Sequence, residues 1–459
     1  MPPSSLSWFS LFRLGLIQAA LGAIVVLTTS TLNRVMVVEL ALPATLPGAL
    51  VALHYAMQLL RPRMGHGSDG GQRRTPWIIG GMATLASGGT LAAVATAQLG
   101  KDLYVGVGLA ILAFMLIGAG VSAAGTSLLV LLAKRVAPER RAAGATLVWV
   151  MMIAGFAITA GLAGRALDPF SPGRLISVTA TVAGLALAVS LIAIWGVEGR
   201  TAPSPAQAEE PAMSRSDFFA ALQGVWAERD ARLFTIFVFM SMLSYSAQDL
   251  ILEPFSGSLF SYTPGQSTKL SGVQHGGVFV GMLLVALVTT LFKGRRAASL
   301  KGWVIGGCIA SALAMLGLVV AGLLPGAYPL RQNVFVLGVA NGAFSIAAIG
   351  SMMALASQGG GSREGMRMGL WGAAQAIAFG SGGFLGTVLA DGAKWLLGSP
   401  ASAYAAVFAL EAVGFLVSAQ LARRIAFSPR LLPDSVRAMP YRPSLPPNLS
   451  TNPLPQAVV

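Results

Sequence analysis

The 459-residue chain is 55% hydrophobic and 10% charged, with mean hydropathy +0.71. Soluble domains carry about 25% charged residues, so the composition excludes a water-soluble enzyme and a disordered chain. The apolar runs are continuous rather than alternating, which also excludes an outer-membrane barrel.

Charge adds a second constraint. There are 31 Lys and Arg against 17 Asp and Glu, a net charge of +14. In so apolar a chain this excess points to positive cytoplasmic loops and anionic lipids as partners, and not to nucleic acid. The single cysteine, Cys308, excludes a disulfide framework and a thiolate metal cluster.

One membrane-spanning helix takes roughly 20 apolar residues. Twelve such runs are predicted, near 14–38, 43–60, 76–98, 104–132, 143–166, 174–197, 233–253, 273–292, 302–324, 333–356, 367–390 and 402–422. The first is too long for a cleavable signal peptide and continues into a polar-studded stretch. The second opens on Pro43 and Pro47, and the seventh runs into polar sequence. The longest hydrophilic stretch between spans is 198–232. The predicted organisation is therefore an N-terminal six-helix bundle (1–197), a cytoplasmic linker (198–232), a C-terminal six-helix bundle (233–425) and a flexible, proline-rich cytoplasmic tail (426–459). With both termini in the cytoplasm, all the basic residues fall inside except Arg34, Lys101, Arg165, Arg174, Lys269, Arg331 and Lys394. Small-residue stretches such as GMATLASGG and GAGVSAAG allow close helix approach in lipid.

Ionisable groups inside a membrane are functional candidates. The first helix ends in STLNRVMVVELALP, with Asn33, Arg34 and Glu39. Arg34 and Glu39 stand five apart, which on an α-helix does not place them cleanly on one face, so Glu39 is expected at the interface. The second helix carries His54, whose neutral imidazole suits the magnesium of a chlorophyll; the plainer reading is a hydrogen-bonded interhelical histidine. The seventh helix has Asp249 and Glu253 four apart on one face. Two such carboxylates repel unless a cation or proton intervenes, and Arg34 is the expected partner of one of them. The alternative is a structural latch at the outer helix ends. His66, His275 and the lone Glu411 of the last helix are weaker candidates.

The loop after the second helix reads Gly65-His-Gly-Ser-Asp69-Gly-Gly-Gln-Arg73-Arg74. It resembles the major facilitator superfamily signature G-x-x-x-D-R-x-G-R-R, keeping Gly65, Asp69, Arg73 and Arg74 and departing at Gly70 and Gln72. A basic loop recurs after the eighth helix (KGRRAASLKG), in line with two pseudo-symmetric six-helix halves. Patterns GxxxxGK[ST], GxSxG, HExxH and CxxC are absent, and the three histidines are scattered. The expectation is a chain that is not an enzyme and has no metal site.

LNRVMVVELALP, RPRMGHGSD and YSAQDLILEPF together resemble the PucC family of phototrophic bacteria, which includes PucC- and LhaA-type proteins and is facilitator-like in fold. The resemblance spans essentially the whole chain. It implies assembly of light-harvesting antennae in the bacterial inner (intracytoplasmic) membrane. Bacteriochlorophyll or a precursor would be bound cargo, and antenna polypeptides or pigment-synthesis enzymes would be partners. Two alternatives stay open: a secondary transporter of a tetrapyrrole or other small molecule, and a scaffold for a pigment-synthesis enzyme such as geranylgeranyl reductase.

Overall fold

Helix starts are written into the chain as polar caps at the ends of apolar runs. Ser7, Asp102, Ser171, Thr263, Ser299 and Ser399 each accept a backbone N–H three residues on, satisfying donors that a first helical turn leaves unpaired. Thr263 and Gln266 form a reciprocal capping box. A computed structural model describes residues 6–60, 73–198, 222–292, 299–326, 328–357 and 361–426.

Among the described residues, twelve helices carry the fold. They are α1 (Trp8–Glu39), α2 (Thr45–Met57), α3 (Thr75–Leu99), α4 (Leu103–Arg135), α5 (Pro138–Ala166) and α6 (Pro172–Ile194). Then come α7 (Arg229–Phe260), α8 (Pro264–Leu291), α9 (Leu300–Leu323), α10 (Leu330–Ser357), α11 (Gly361–Leu397) and α12 (Pro400–Arg424). Eleven are long and apolar enough to cross a membrane. The exception, α2, has 13 residues and runs on into a 3₁₀ turn, Gln58–Leu60. Proline explains its late start: Pro43 stands before the helix and Pro47 is tolerated only in its first turn.

Two helices outrun their apolar stretches. α1 begins at Trp8, and α7 continues through the polar YSAQD segment and past Pro254 to Phe260. Polar residues of α7, including Ser244, Gln248 and Glu253, are buried among neighbouring helices instead of reaching water. α1 is also irregular. Its segments Leu27–Thr31 and Val35–Glu39 are π-helical.

Packing follows a rule: adding six to each helix number maps the contacts onto themselves. α1·α5, α1·α6, α3·α4, α3·α6 and α2·α4 recur as α7·α11, α7·α12, α9·α10, α9·α12 and α8·α10. Two large hydrophobic cores result, one mainly of residues from α1–α6 with Leu250, the other mainly from α7–α12, and a small third cluster joins Val26 and Leu27 of α1 to Ala160 and Ala163 of α5. The seams between the halves are α2·α11 and α5·α8, which exchange under the same rule. Close approach at α8·α10 depends on glycine. A Cβ on Gly277, Gly281, Gly338 or Gly342 would stand 2.1–2.4 Å from a backbone carbonyl oxygen of the facing helix. The two GxxxG pairs therefore interlock.

Successive helices alternate in direction, so the described ends of the chain share one face. There Leu6 N–H bonds the Arg135 carbonyl, and Lys301 donates to the carbonyls of Arg423 and Ile425. At this face Glu198, just beyond α6, accepts the N–H groups of Arg74 and Thr75 at 2.6 and 2.8 Å and the Thr75 hydroxyl at 2.6 Å. Burial pushes the Glu198 carboxyl up, but the Thr75 hydroxyl, the two N–H groups and the Arg74 charge outweigh it and hold it below the ordinary 4.5.

Candidate functional site: a central cavity and its polar seal

Between the halves lies a cavity of about 310 Å³. Its walls come from α1, α2, α4, α5, α7, α8, α10 and α11. The surface mixes aromatic and thioether groups (Trp149, Phe156, Phe379, Met152, Met242, Met282) with Gln18, His54, Tyr245, Asp249 and His275. Among the described residues no Lys or Arg lines it. Such a wall takes an uncharged or cationic ligand and disfavours an anion.

Toward the face opposite the chain ends the cavity is sealed by α1 against α7 and α8. The Thr31 and Thr268 hydroxyls bond at 3.0 Å, and those of Ser30 and Ser271 at 3.3 Å. The Asn33 amide donates to the Leu250 carbonyl at 2.5 Å. Arg34, 2% exposed, donates through Nε to Ser267 Oγ at 3.3 Å, through Nη2 to the Tyr262 carbonyl at 2.5 Å, and through Nη1 to Glu39. Its guanidinium packs over Gly257 of α7, where a Cβ would stand 3.0 Å from Nη2.

The Arg34 ion pair is thus made within α1, with Glu39. The α-helical spacing rule fails here because the turn between them closes i→i+5 hydrogen bonds, which brings residues five apart onto one face. Of the two acids singled out on α7, Asp249 and Glu253, Glu253 is within electrostatic reach of Arg34, with Ser30 and Ser271 beside it. Neither of its oxygens has a hydrogen bond of standard geometry. Asp249 is not among the hydrogen-bond and ion-pair partners of Arg34. It lines the cavity and accepts the Gln274 amide at 3.1 Å. The buried acids are therefore not confined to the outer helix ends: Asp249 and Glu411 sit well inside their helices.

His54 is buried on the cavity wall, its Nε2 2.9 Å from the Gln58 amide and its ring edge-on to Tyr55. His275 lines the same cavity, donates from Nδ1 to the Ser271 carbonyl at 2.9 Å and stands edge-on to Phe156. Of the loop motif, Gly65 and Asp69 lie outside the described residues, as does His66. Arg73 is exposed, and Arg74 contributes its backbone to the Glu198 cap. No group of three or more His, Cys, Asp or Glu suited to a metal occurs among the described residues.

Two acids outside the predicted set close the seams between the halves. Asp391 of α11 accepts the N–H groups of Ala44 and Thr45 at 3.1 and 2.8 Å and the Thr45 hydroxyl at 2.6 Å, capping α2. Asp168, after α5, accepts the Thr263 hydroxyl at 2.8 Å and Lys269 Nζ at 3.2 Å at the start of α8. The two clamps are related by the same six-helix rule. Their sequence signal is an acid at the end of an apolar run, too common to single them out.

Comparison with known proteins follows the same lines. The family model described as "PUCC protein" matches residues 31–429. The "Bacteriochlorophyll synthase 44.5 kDa chain" of Rhodobacter capsulatus is 51% identical, covering 91% of this chain and 95% of that one. "Protein PucC" of the same organism is 30% identical, covering 92% of each. Among solved structures, a peptide transporter POT in complex with sulfate aligns with TM-score 0.64 at 14% identity, covering 92% of this chain and 96% of that one. The nucleoside transporter NupG aligns with TM-score 0.61 at 14% identity, covering 91% of this chain and 98% of that one. At those identities the likeness shows the fold, and the major facilitator architecture expected from the sequence is the one found. One expectation is corrected: the reading that the chain is not an enzyme does not fit a relative, 51% identical, that is named as a chain of a synthase. The absence of those motifs excludes the chemistry each one carries and leaves a part in an enzyme complex open.

Proposed function

The chain belongs to the PUCC protein family, and we propose that it is an enzyme-associated membrane subunit serving bacteriochlorophyll synthesis and delivery to light-harvesting antennae. In this reading it escorts pigment, finished or nearly so, between a synthesis enzyme and newly inserted antenna polypeptides, within the plane of the bilayer. The observation that carries it is the 51% identity, over nearly the full length of both chains, to a protein named as a bacteriochlorophyll synthase chain.

The cavity's character supports the reading. Apolar and aromatic walls without Lys or Arg among the described residues suit an oily, uncharged cargo. His54 and His275 both line the cavity, and this reading assigns them the role of imidazoles meeting a magnesium tetrapyrrole. A volume of about 310 Å³ is at the floor of the roughly 300–1,000 Å³ range of ligand sites, so only part of a tailed pigment enters and the rest lies in lipid. The membrane is the bacterial inner membrane, with both termini cytoplasmic, as the distribution of basic residues favours.

Purification in mild detergent, followed by an absorption spectrum and identification of co-eluting proteins, tests this. A near-infrared pigment band together with an antenna polypeptide or a pigment-synthesis enzyme is expected. A colourless protein that elutes alone, from a strain whose deletion leaves pigment and antenna levels unchanged, overturns it.

A further inference from the structure

The two histidines of the cavity wall differ in what they offer a ligand, and their hydrogen bonds decide the difference. Both rings are buried, His54 1% and His275 6% exposed, and both line the cavity. They come from opposite halves, His54 from α2 and His275 from α8. A neutral imidazole has one N–H and one lone pair. A side-chain amide nitrogen can only donate, so the Gln58 amide, at 2.9 Å, donates to His54 Nε2. That bond takes up the lone pair of His54 and leaves the proton on Nδ1. A metal could be bound there only by breaking it.

His275 is wired the other way. A carbonyl oxygen can only accept, so the 2.9 Å contact with the Ser271 carbonyl puts the proton on Nδ1 and the lone pair on Nε2. Among the described residues no acid acts on the ring, so it is buried in its neutral form. Nδ1 is turned back onto its own helix, which leaves Nε2 on the edge facing away from α8. Among the described residues no hydrogen bond reaches Nε2. The ring is also held in place. Phe156 of α5 stands edge-on to it at 5.0 Å, and Ser271, whose carbonyl orients it, is pinned across the seal by its hydroxyl contact with Ser30. Histidines that ligate metals nearly always donate their second ring N–H to a carbonyl or carboxylate, which fixes the tautomer and the ring direction. His275 has that arrangement and His54 does not.

We propose that His275, through Nε2, is the axial ligand of a magnesium tetrapyrrole in the central cavity. The inference rests on the pigment reading above and narrows its two imidazoles to one. The wall suits the group: Trp149, Phe156 and Phe379 present aromatic surface, and among the described residues no Lys or Arg lines the cavity to set a positive charge beside the metal. An oily cargo that expels water from the wall must replace whatever bond water made to the Nε2 lone pair, or affinity is lost. The open axial position of a magnesium tetrapyrrole replaces it, whereas a metal-free macrocycle offers nothing at that point.

The test uses the purified full-length chain in detergent, titrated with bacteriochlorophyll and with the same pigment stripped of its magnesium. Affinity is read from quenching of tryptophan fluorescence, and the axial ligation of the metal from resonance Raman bands of the bound macrocycle. The native chain should bind the magnesium pigment about tenfold tighter than the metal-free one, with a nitrogen axial ligand. His275→Leu should abolish that ligand signature and weaken binding of the magnesium pigment about tenfold, the metal-free pigment losing far less. Comparing the two pigments on the native chain needs no variant and keeps the test decisive if His275→Leu fails to fold. Equal affinity for the two pigments overturns the assignment and leaves the pigment reading standing. So does an equal loss of both pigments in His275→Leu, which would make the ring a packing group or a hydrogen-bond acceptor. A ligand signature lost in His54→Leu and kept in His275→Leu also overturns it. Binding of neither pigment by the native chain overturns both the assignment and the reading beneath it.

Discussion

Asp391 holds Thr45 by two bonds, one from its backbone N–H at 2.8 Å and one from its hydroxyl at 2.6 Å. The contact joins α11 of one half to α2 of the other, and the Asp168–Thr263 bond repeats it across the pseudo-symmetry axis. Together with the Arg34 seal, these clamps close one face. Loss of a helix cap costs about 0.5–2 kcal/mol, so Asp391→Asn combined with Asp168→Asn should open that face. Because the native cysteine is buried, a cysteine placed at Ser30, on the cavity wall, can be titrated with an impermeant maleimide from the face opposite Leu6 and Ile425. Labelling should rise several-fold in the double variant; an unchanged rate would show that the clamps do not hold the face shut.

Arg34 and Glu39 should respond unequally to substitution. The Arg34 side chain is 2% exposed and Glu39 is 36% exposed. Glu39→Gln keeps an oxygen that can accept from Arg34 Nη1, whereas Arg34→Met removes three donated hydrogen bonds at once. Arg34→Met, which also strands Ser267 and the Tyr262 carbonyl, should lower the Tm far more than Glu39→Gln. Thermal melts of the two single variants and of the double variant check this, and equal losses would contradict it.

Glu198 gives the chain an acid-sensitive cap. Its folded-state value is depressed below 4.5, so its contribution is present above 4.5 and lost as pH falls through the lower folded-state value. The Tm difference between the native chain and Glu198→Gln should be constant near neutral pH and shrink toward zero in acid. A difference that grows on acidification would invert the sign and refute the assignment.

The glycine interlock of α8 and α10 should tolerate almost nothing. Gly338→Ala and Gly342→Ala place a Cβ 2.1 Å from the Gln274 and Val278 carbonyl oxygens. Overpacking of this kind costs about 1–3 kcal/mol. Gly306→Ala meets open space and serves as the control. Monodisperse yield on size-exclusion chromatography should fall for the first two variants and hold for the third.

The runs of apolar residues, their spacing and their polar ends determined that this chain forms a bundle of membrane helices in two related sets, because helix formation and burial in lipid are decided locally along the chain. The short motifs sufficed to place it in a family. Side-chain partnership was settled elsewhere. Arg34 meets Glu39 through a π-turn, a backbone irregularity that α-helical spacing does not anticipate. Asp391 meets Thr45, and Asp168 meets Thr263, through helix rotation and register. Those depend on residues far apart in sequence, on glycines such as Gly414 and Gly257 that set how near two helices come. Electrostatic partnership falls off within a few ångströms, and only packing in three dimensions decides which groups come that near.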